Sequence, residues 1–580
     1  MPVSPDTFRA TSRVFDMSAS QSSLGSPAFP QVLYEYGNRA SGETHGLVLT
    51  KPHIVALILD LAGYVADKDL GGMALLDPSC GQGAFVVQAV ERLMSSSKKF
   101  NRDVSQLHRA ISSFDIDAGH VNLTREAVIR VLQTHGVGKA DACTLAEKWI
   151  VCADFLLAPQ PRKFDFVVGN PPYIRIEQLS SVLQEEYRQR YRSIYDRADL
   201  YVAFIEQGLN LLTSDGVLSF ICADRWILNK YGAPLRKLLS ERFNIRCYID
   251  LHRASPFDTE VIAYPSIFAI SPGATTRVHV GALETASPEE CATILPMIVN
   301  GVIGTQCGAS VSIYNSWFYG DEPWVISTPE HLVALRSLEK KFEPISINAK
   351  VGIGVATGSD KVYIVDEGAD IERDRLVPLV MREDIERGRI RNAGRFVINT
   401  FEETGGAVEL AQYPKLARYL ESNETNIRMR HVAKKNPRGW FRTIDRVYPR
   451  IVSIPKLLIP DIAGSNEVVF DVGYYHPHHN LYFITSDTWD MEVLGGLLSS
   501  KVALFFVWSY AVKMRGGYLR FQAQYLRRIR LPDPENIPKA LADSIQDAFR
   551  RREFAKLDAL AYEAYGIEGL PDFDFVDTRE

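Results

Sequence analysis

The sequence predicts an α/β fold: a mainly parallel sheet in its first half and a mixed α+β arrangement in its second. Three observations carry this. Between about residues 46 and 270, short apolar runs alternate with turns and amphipathic helices, the pattern of strands joined by crossover helices. Seven such runs can be placed, at Met73–Asp77, Ile111–Asp115, Trp149–Cys152, Phe164–Val168, Val217–Cys222, Arg246–Leu251 and Ser266–Ile270. From 346 to about 535 the alternation gives way to irregular segments rich in Gly, Pro, Arg and aromatic residues.

The elements follow in order. Residues 1–33 are rich in Ser and Pro, have no sustained period, and read as a flexible arm. A first domain is expected over 34–275, with helices at Lys51–Ala62, Ala84–Met94, Asp199–Leu212 and Ala233–Glu241 between its strands. Residues 276–345 read as a connector with short strands of its own and a helix, Glu330–Phe342. A second domain follows over 346–535, then a tail, 536–580, that is helical again from Pro538 to Tyr565.

Composition excludes several classes. The 580 residues carry 65 Lys+Arg against 70 Asp+Glu, a net charge of −5, with 46% hydrophobic and 23% charged residues. Those values fit a soluble globular protein and exclude a collagen-like fibre, a coiled coil or a chain disordered throughout. No run of eighteen apolar residues is present and the N-terminus lacks an apolar signal core, so a cytoplasmic protein without a membrane span is expected. The seven cysteines (80, 143, 152, 222, 247, 291, 307) are scattered with no CxxC pair, which fits reduced thiols rather than a disulfide framework or a zinc site. No metal is expected.

The first chemically informative stretch is Leu75-Leu76-Asp77-Pro78-Ser79-Cys80-Gly81-Gln82-Gly83-Ala84-Phe85, a strand running into a glycine turn and a helix. In open α/β sheets ligands sit outside the carboxyl ends of strands, at such turns. Gly81 and Gly83 let a ligand approach the backbone, and Asp77 can take the charge of a cationic one. The third glycine of the dinucleotide fingerprint is missing, and Asp77 would repel a pyrophosphate. A cofactor with an ammonium and a sulfonium suits this turn better than NAD does, although a purely structural turn has the same local pattern. Two further strand ends supply matching groups. Asp115, followed by Ile116, can hold ribose hydroxyls, and Asp154 with Phe155 can receive and pack a purine. Each acid alone could equally cap the next helix; three at successive strand ends favour the ligand.

Asn170-Pro171-Pro172-Tyr173 closes the fourth strand. Methyl transfer to a planar amine needs the nitrogen lone pair freed from conjugation with its ring. The Asn170 side-chain oxygen and the Pro171 carbonyl can accept from the two amino hydrogens, the prolines offer no competing N–H, and Tyr173 offers a face for an extruded base.

These residues resemble the AdoMet-dependent adenine-N6 DNA methyltransferases of restriction–modification systems, in the gamma arrangement. In that arrangement a catalytic domain precedes a target-recognition domain. The resemblance covers about 45–270. Gly46-Leu47-Val48-Leu49-Thr50-Lys51-Pro52 resembles the segment that closes over the methionine moiety, implicating Val48 and Thr50. Asp77, Ser79, Cys80, Gly81 and Gly83 resemble the AdoMet loop, with Asp115 and Ile116 at the ribose, Asp154 and Phe155 at the adenine, and Asn170 reaching the cofactor as well. Asn170-Pro171-Pro172-Tyr173 matches the catalytic motif, and Ala198–Phe204 resembles the helix after it. Ser255–Val261 resembles the loop whose aromatic residue packs on the flipped base, implicating Phe257, with Asp258 and Glu260 replacing expected basic residues. The implied architecture is a Rossmann-like, seven-stranded, mainly parallel methyltransferase sheet with a C-terminal target-recognition domain. The implied substrate is double-stranded DNA, bound by a monomer, with a separately encoded restriction endonuclease as companion.

The second half is expected to grip DNA. Arg428, Arg430, Lys434, Lys435, Arg438, Arg442, Arg446 and Arg450 stand against the single acid Asp445, interleaved with Trp440, Phe441 and Tyr448. A second cluster holds Lys513, Arg515, Arg520, Arg527, Arg528 and Arg530 around Gly517 and Tyr518. Cations mixed with aromatics and glycines fit phosphate contact and groove insertion. Gly352–Gly358 lacks the Lys-Ser/Thr of a phosphate loop and reads as a tight turn, and His476–His479 reads as a surface loop. Alternatives remain open: methylation of RNA or protein glutamine, cytosine-N4 chemistry, or a non-enzymatic DNA-binding module. No Asp…Glu-x-Lys nuclease constellation is evident.

Overall fold

The computed structural model describes residues 49–258, 264–315, 320–391, 394–511, 514 and 517–577. The chain divides into two units, Met1–Glu322 and Pro323–Glu580. The arm expected at 1–33 lies outside the described residues.

In the first unit the seven expected strands form as β1 (Leu75–Asp77), β2 (Ile111–Asp115), β3 (Ile150–Cys152), β4 (Phe164–Gly169), β5 (Leu212–Ala223), β6 (Phe243–Asp250) and β7 (Pro265–Pro272). Three more follow: β8 (Val278–Leu283), β9 (Gly304–Gln306) and β10 (Ala309–Tyr314). They make one sheet in the order β3-β2-β1-β4-β5-β7-β6-β8-β10-β9. From β3 to β5 all neighbours are parallel, and β7 runs antiparallel between β5 and β6. The α/β expectation holds, but the sheet has ten strands where seven were expected. The extra strands come from the segment read as a connector. Val278, Val280, Val311 and Leu283 are buried at alternating or near-alternating positions, and β8 covers the edge that β6 would otherwise leave unpaired.

The longer helices of this unit are α1 (Pro52–Ala62), α2 (Ala84–Phe100), α3 (Ala118–Thr134), α4 (Lys139–Trp149), α5 (Ser181–Arg190), α6 (Tyr201–Asn210), α7 (Ala233–Arg242) and α8 (Pro288–Asn300). In β5 both Val217 and Ile221 and, on the opposite face, Leu218 and Phe220 are buried, because helices cover the sheet on both sides. α1 shows why a helix forms there: Pro52 opens it, Gly63 ends it at φ 80°, and Ile54, Val55, Leu57, Ile58 and Leu59 are buried between. Each such side chain contributes about 1.5–3 kcal/mol by leaving water, so a charge at Ile58 would unseat the helix from β4 and β5. α3 escaped the sequence reading because its buried stripe is narrow: Val121, Thr124, Val128 and Leu132.

The second unit is α+β. One antiparallel sheet orders strands Lys350–Ile353, Leu481–Thr485, Lys456–Pro460 and Val469–Asp471. A second orders Ile364–Asp366, Arg395–Ile398, Leu376–Val380 and His476–Pro477. Strands of two to five residues are too short to display a period, which is why this region read as irregular. Helices Met491–Leu498 and Lys501–Tyr510 are almost wholly buried and meet at 59°; among the described residues no single helix is long and apolar enough to cross a membrane. The helical tail resolves into Lys539–Arg551 and Phe554–Tyr565, separated at Arg552, which turns left-handed at φ 58°.

Candidate active site

Strand order sets the site. β1 has β2 on one side and β4 on the other, so the connections leave in opposite directions and open a crevice at the carboxyl ends of β1 and β4. Asp77 ends β1 and Asn170 follows β4, so the crevice lies between the two most informative stretches of the sequence.

Asp77 is fully buried, with Oδ1 accepting from the Ser79 amide at 3.1 Å and Oδ2 without a hydrogen-bond partner among the described residues. Burial pushes its carboxyl up to about 8, and the charge of Asp115 adds to the shift. Gly81 and Gly83 are left-handed at φ 51° and 91°. At Gly83 a Cβ would also meet the Thr124 side chain at 3.0 Å, so only glycine fits the start of α2. Thr124 donates to the Gly81 carbonyl at 2.9 Å, a support from α3 with no signal in the local sequence. Cys80 is buried, and its amide donates to the Phe114 carbonyl at 2.9 Å.

Asp115 faces the same loop. Its Oδ2 accepts from the Gly81 amide at 2.9 Å and its Oδ1 from the Asp117 amide at 2.9 Å. His120 stands 3.5 Å away, and this contact holds the imidazole above its usual range. The helix-capping role open to any strand-end acid falls to Asp117, which accepts from the His120 amide at 3.0 Å and opens α3. Ile116 is half-buried beside it. Asp154 is buried and held from within: Oδ1 accepts from the Leu156 amide at 2.8 Å and Oδ2 from the Tyr187 hydroxyl of α5. Burial raises its carboxyl above the usual range. Phe155 is buried against Phe114 and Phe204, ring centroids 5.8 and 5.5 Å apart. Tyr187 was not foreseen, because its helix is mostly polar and buries only Leu183 and Tyr187.

The Ser79 hydroxyl donates to the Asn170 backbone carbonyl at 3.1 Å, tying the glycine loop to the tetrapeptide. The Asn170 amide nitrogen donates to the Thr50 hydroxyl at 3.3 Å. Thr50 pairs with Phe257 in an antiparallel bridge, flanked by Lys51 N to Pro256 O and Asp258 N to Leu49 O, both 3.0 Å. The segment before α1 and the loop after β6 therefore meet over the crevice. Phe257 is buried and lies edge-on to Tyr173 at 6.4 Å; Tyr173 lies edge-on to Tyr201 at 6.3 Å. Pro171 is buried and Pro172 half-buried beside them. Tyr201 and Tyr231 share a hydrogen bond of 2.6 Å, and Tyr231 donates to Asp199 at 2.8 Å, a network that sequence spacing did not disclose. Val48 lies outside the described residues, as do Thr259–Val261 of the Phe257 loop.

Residues 92–257 match the Eco57I restriction-modification methylase family. The chain is 44% identical over 539 residues to the type II methyltransferase M.BstVI of Geobacillus stearothermophilus, covering 90% of this chain and 96% of that one. The chain belongs to the type II methyltransferases. The methyltransferase M.PaeR7I of Pseudomonas aeruginosa is 42% identical over 535 residues, covering 90% and 92% of the two chains. Among solved structures, the type IIL restriction-modification enzyme MmeI in complex with DNA aligns over 94% of this methyltransferase and 75% of its own chain, with a TM-score of 0.57 at 12% identity, a likeness of fold.

In the second unit of the methyltransferase, the basic clusters separate into two kinds of residue. Arg430 was expected to contact DNA; instead it reaches inward, donating to the carbonyls of Ile427, Thr357, Trp440 and Arg442 and to the Tyr363 hydroxyl at 2.8–3.1 Å. It is a structural tie, because it joins four carbonyls from separate stretches of this unit, two of which, Ile427 and Thr357, also accept from backbone amides. Arg520 is ion-paired with Asp461 rather than free for phosphate. Arg428 pairs with Glu424 at 2.6 Å and lies over Trp440 at 4.5 Å, and Arg442 is half-buried over Phe401 at 5.8 Å. Lys434, Lys435, Arg438, Gly517 and Tyr518 are exposed. Lys513 and Arg515 lie outside the described residues.

Proposed function

We propose that this protein transfers the methyl group of AdoMet to the N6 amino group of an adenine extruded from duplex DNA at one short sequence. The single observation that carries the reading is the tetrapeptide Asn170–Tyr173 at the end of β4, hydrogen-bonded to the glycine loop through Ser79. The loop fits AdoMet on its own terms. Asp77 Oδ2 is a buried acceptor with no partner among the described residues, and the left-handed glycines keep Cβ atoms out of the ligand's way. Asp115 retains lone pairs for ribose hydroxyls beyond the two amides it already receives. AdoMet, when bound, supplies an electrophilic methyl group on a cationic sulfonium.

The remaining work falls to side chains of this chain. Thr50 accepts from the Asn170 nitrogen, which orients the amide with its oxygen available as acceptor. That oxygen and the Pro171 carbonyl receive the two hydrogens of the target amine and draw its lone pair out of ring conjugation. Tyr173, braced edge-on by Phe257 and Tyr201, offers a face for the base. No base is required beforehand, since the amine can shed its proton once alkylated. Lys434, Lys435 and Arg438 supply phosphate contacts from the second unit. A separately encoded endonuclease of the same specificity is the companion against which this methylation protects.

Incubation of random-sequence duplex DNA with labelled AdoMet, followed by nucleoside analysis and sequencing, tests the reading. N6-methyladenine at one recurring sequence is expected. Label recovered as N4-methylcytosine, in RNA or on protein glutamine would replace it.

A further inference from the structure

In the second unit, Asp360 and the dipeptide His478-His479 bring three Lewis-basic atoms together. His478 Nε2 lies 2.9 Å from His479 Nδ1 and 3.2 Å from Asp360 Oδ2, and the three ligand atoms fall within 4.8 Å of one another. His478 is buried, Asp360 partly buried and His479 exposed, so the cluster is closed on its protein side and open to solvent on the other.

The frame around it is rigid. The His478 amide donates to the Val380 carbonyl at 2.9 Å, the His479 amide to Val355 at 3.0 Å, and the Val355 amide to Pro477 at 2.9 Å. A Cβ on Gly354 would stand 2.2 Å from the His478 carbonyl oxygen, so glycine alone permits this approach. The Thr357 hydroxyl donates to Asp360 Oδ1 and fixes the carboxylate. The acid missing from the sequence around His476–His479 is therefore supplied from far upstream, and His476 and His478 are buried rather than on a surface loop.

Proton counting argues against hydrogen bonds as the whole explanation. A neutral imidazole nitrogen carries one proton or none, so His478 Nε2 can serve both a carboxylate oxygen and a second imidazole nitrogen only by dividing a single proton between them, a weak three-centre bond. A divalent cation satisfies all three at once. Two ligands on a tetrahedral ion with bonds of about 2.0–2.1 Å stand about 3.3 Å apart, close to the 3.2 Å from His478 to Asp360 and somewhat wider than the 2.9 Å from His478 to His479. Two imidazole nitrogens and one carboxylate oxygen suit zinc or a neighbouring first-row ion better than calcium or magnesium, which prefer all-oxygen shells.

We propose that Asp360, His478 and His479 bind one zinc-class divalent ion, with water completing its coordination. The ion clamps the seam between the two four-stranded sheets of this unit. Lys350–Ile353 and Leu481–Thr485 belong to one sheet and His476–Pro477 to the other, and the ligands sit on the chain between and beside them.

The test uses the full-length protein stripped with a chelator. Zinc chloride is titrated in competition with a chromophoric chelator, and cobalt chloride is added separately while visible absorption is read. The parent should bind one more zinc equivalent than His479→Ala, at about micromolar affinity or tighter, and show a cobalt d–d band that the variant lacks. Asp360→Asn, which keeps the side-chain shape, should weaken that site by about tenfold or more. Zinc should raise the melting temperature of the parent and leave that of His479→Ala unchanged. Equal zinc stoichiometry and affinity in parent and variant, or no cobalt band in the parent, would overturn the proposal and leave the trio as a hydrogen-bonded relay.

Discussion

The Asn170 side-chain amide donates to the Thr50 hydroxyl at 3.3 Å across 120 residues of chain. Thr50 is bridged in turn to Phe257, whose ring stands edge-on to Tyr173. The tetrapeptide is thus held by a segment before the first strand and by a loop after the sixth. Its chemistry depends on a corner assembled from three distant parts of the sequence.

Asn170→Ala should keep AdoMet binding and lose methyl transfer by about 10²–10³ or more, since a preorganised polar contact is removed and the target amine is misplaced. Thr50→Val keeps the shape but frees the amide to turn, so kcat should fall while cofactor affinity holds. Single-turnover rates report both, and an unchanged rate in Asn170→Ala would remove this residue from the reaction.

The buried carboxyl of Asp77 sits at about 8 in the fold against 3.8 for an ordinary aspartate. The folded state holds the extra proton across that interval, so ligand-free stability should decline as pH rises from about 4 to about 8. A cationic cofactor favours the carboxylate. Its affinity should therefore climb with pH, by at most about tenfold per unit, and level off above about 8. Calorimetry in buffers of different ionisation heat should register proton release near neutrality, and Asp77→Asn should abolish it. A flat affinity profile would mean that the carboxylate does not meet the cation.

Asp115 does two things that separate on mutation. Asp115→Ala should weaken AdoMet and also loosen the glycine loop, because the Gly81 and Asp117 amides lose their acceptor. Asp115→Asn retains an acceptor for one amide and should lose less stability. If calorimetry finds AdoMet affinity intact in both variants, the ribose role is wrong.

Arg430 and Arg438 should behave oppositely although they belong to one basic run. Arg430→Ala takes a donor from four backbone carbonyls, of which those of Ile427 and Thr357 keep a backbone amide, and should cost about 2–3 kcal/mol in unfolding free energy with little effect on the salt dependence of DNA binding. Lys435 and Arg438, both exposed, should when neutralised together leave stability unchanged and flatten the slope of log K against log salt by about two. Salt titrations of DNA affinity alongside urea melts distinguish the two.

Part of the fold was legible because it rests on local spacing. The first seven of the ten strands in the large sheet, and helices such as α1 and α2, carry apolar runs whose period or length is visible within a short window. The strands of the second unit span two to five residues, and helices Met491–Leu498 and Lys501–Tyr510 are apolar on every side, so neither type offers a period to read.

The sequence by itself determined where the glycine loop and the Asn-Pro-Pro-Tyr corner stand, since both are contiguous and their chemistry follows from residue type. Tertiary structure alone decided what isolated charged residues do. It turned Asp117 into a helix cap and left Asp115 on the loop, drew Arg430 inward while Arg438 stayed in solvent, and brought Asp360 to His478. The physical reason is that an ionisable side chain takes its role from the donors, acceptors and solvent around it. Those neighbours arrive from segments tens to hundreds of residues away, beyond the reach of any local pattern.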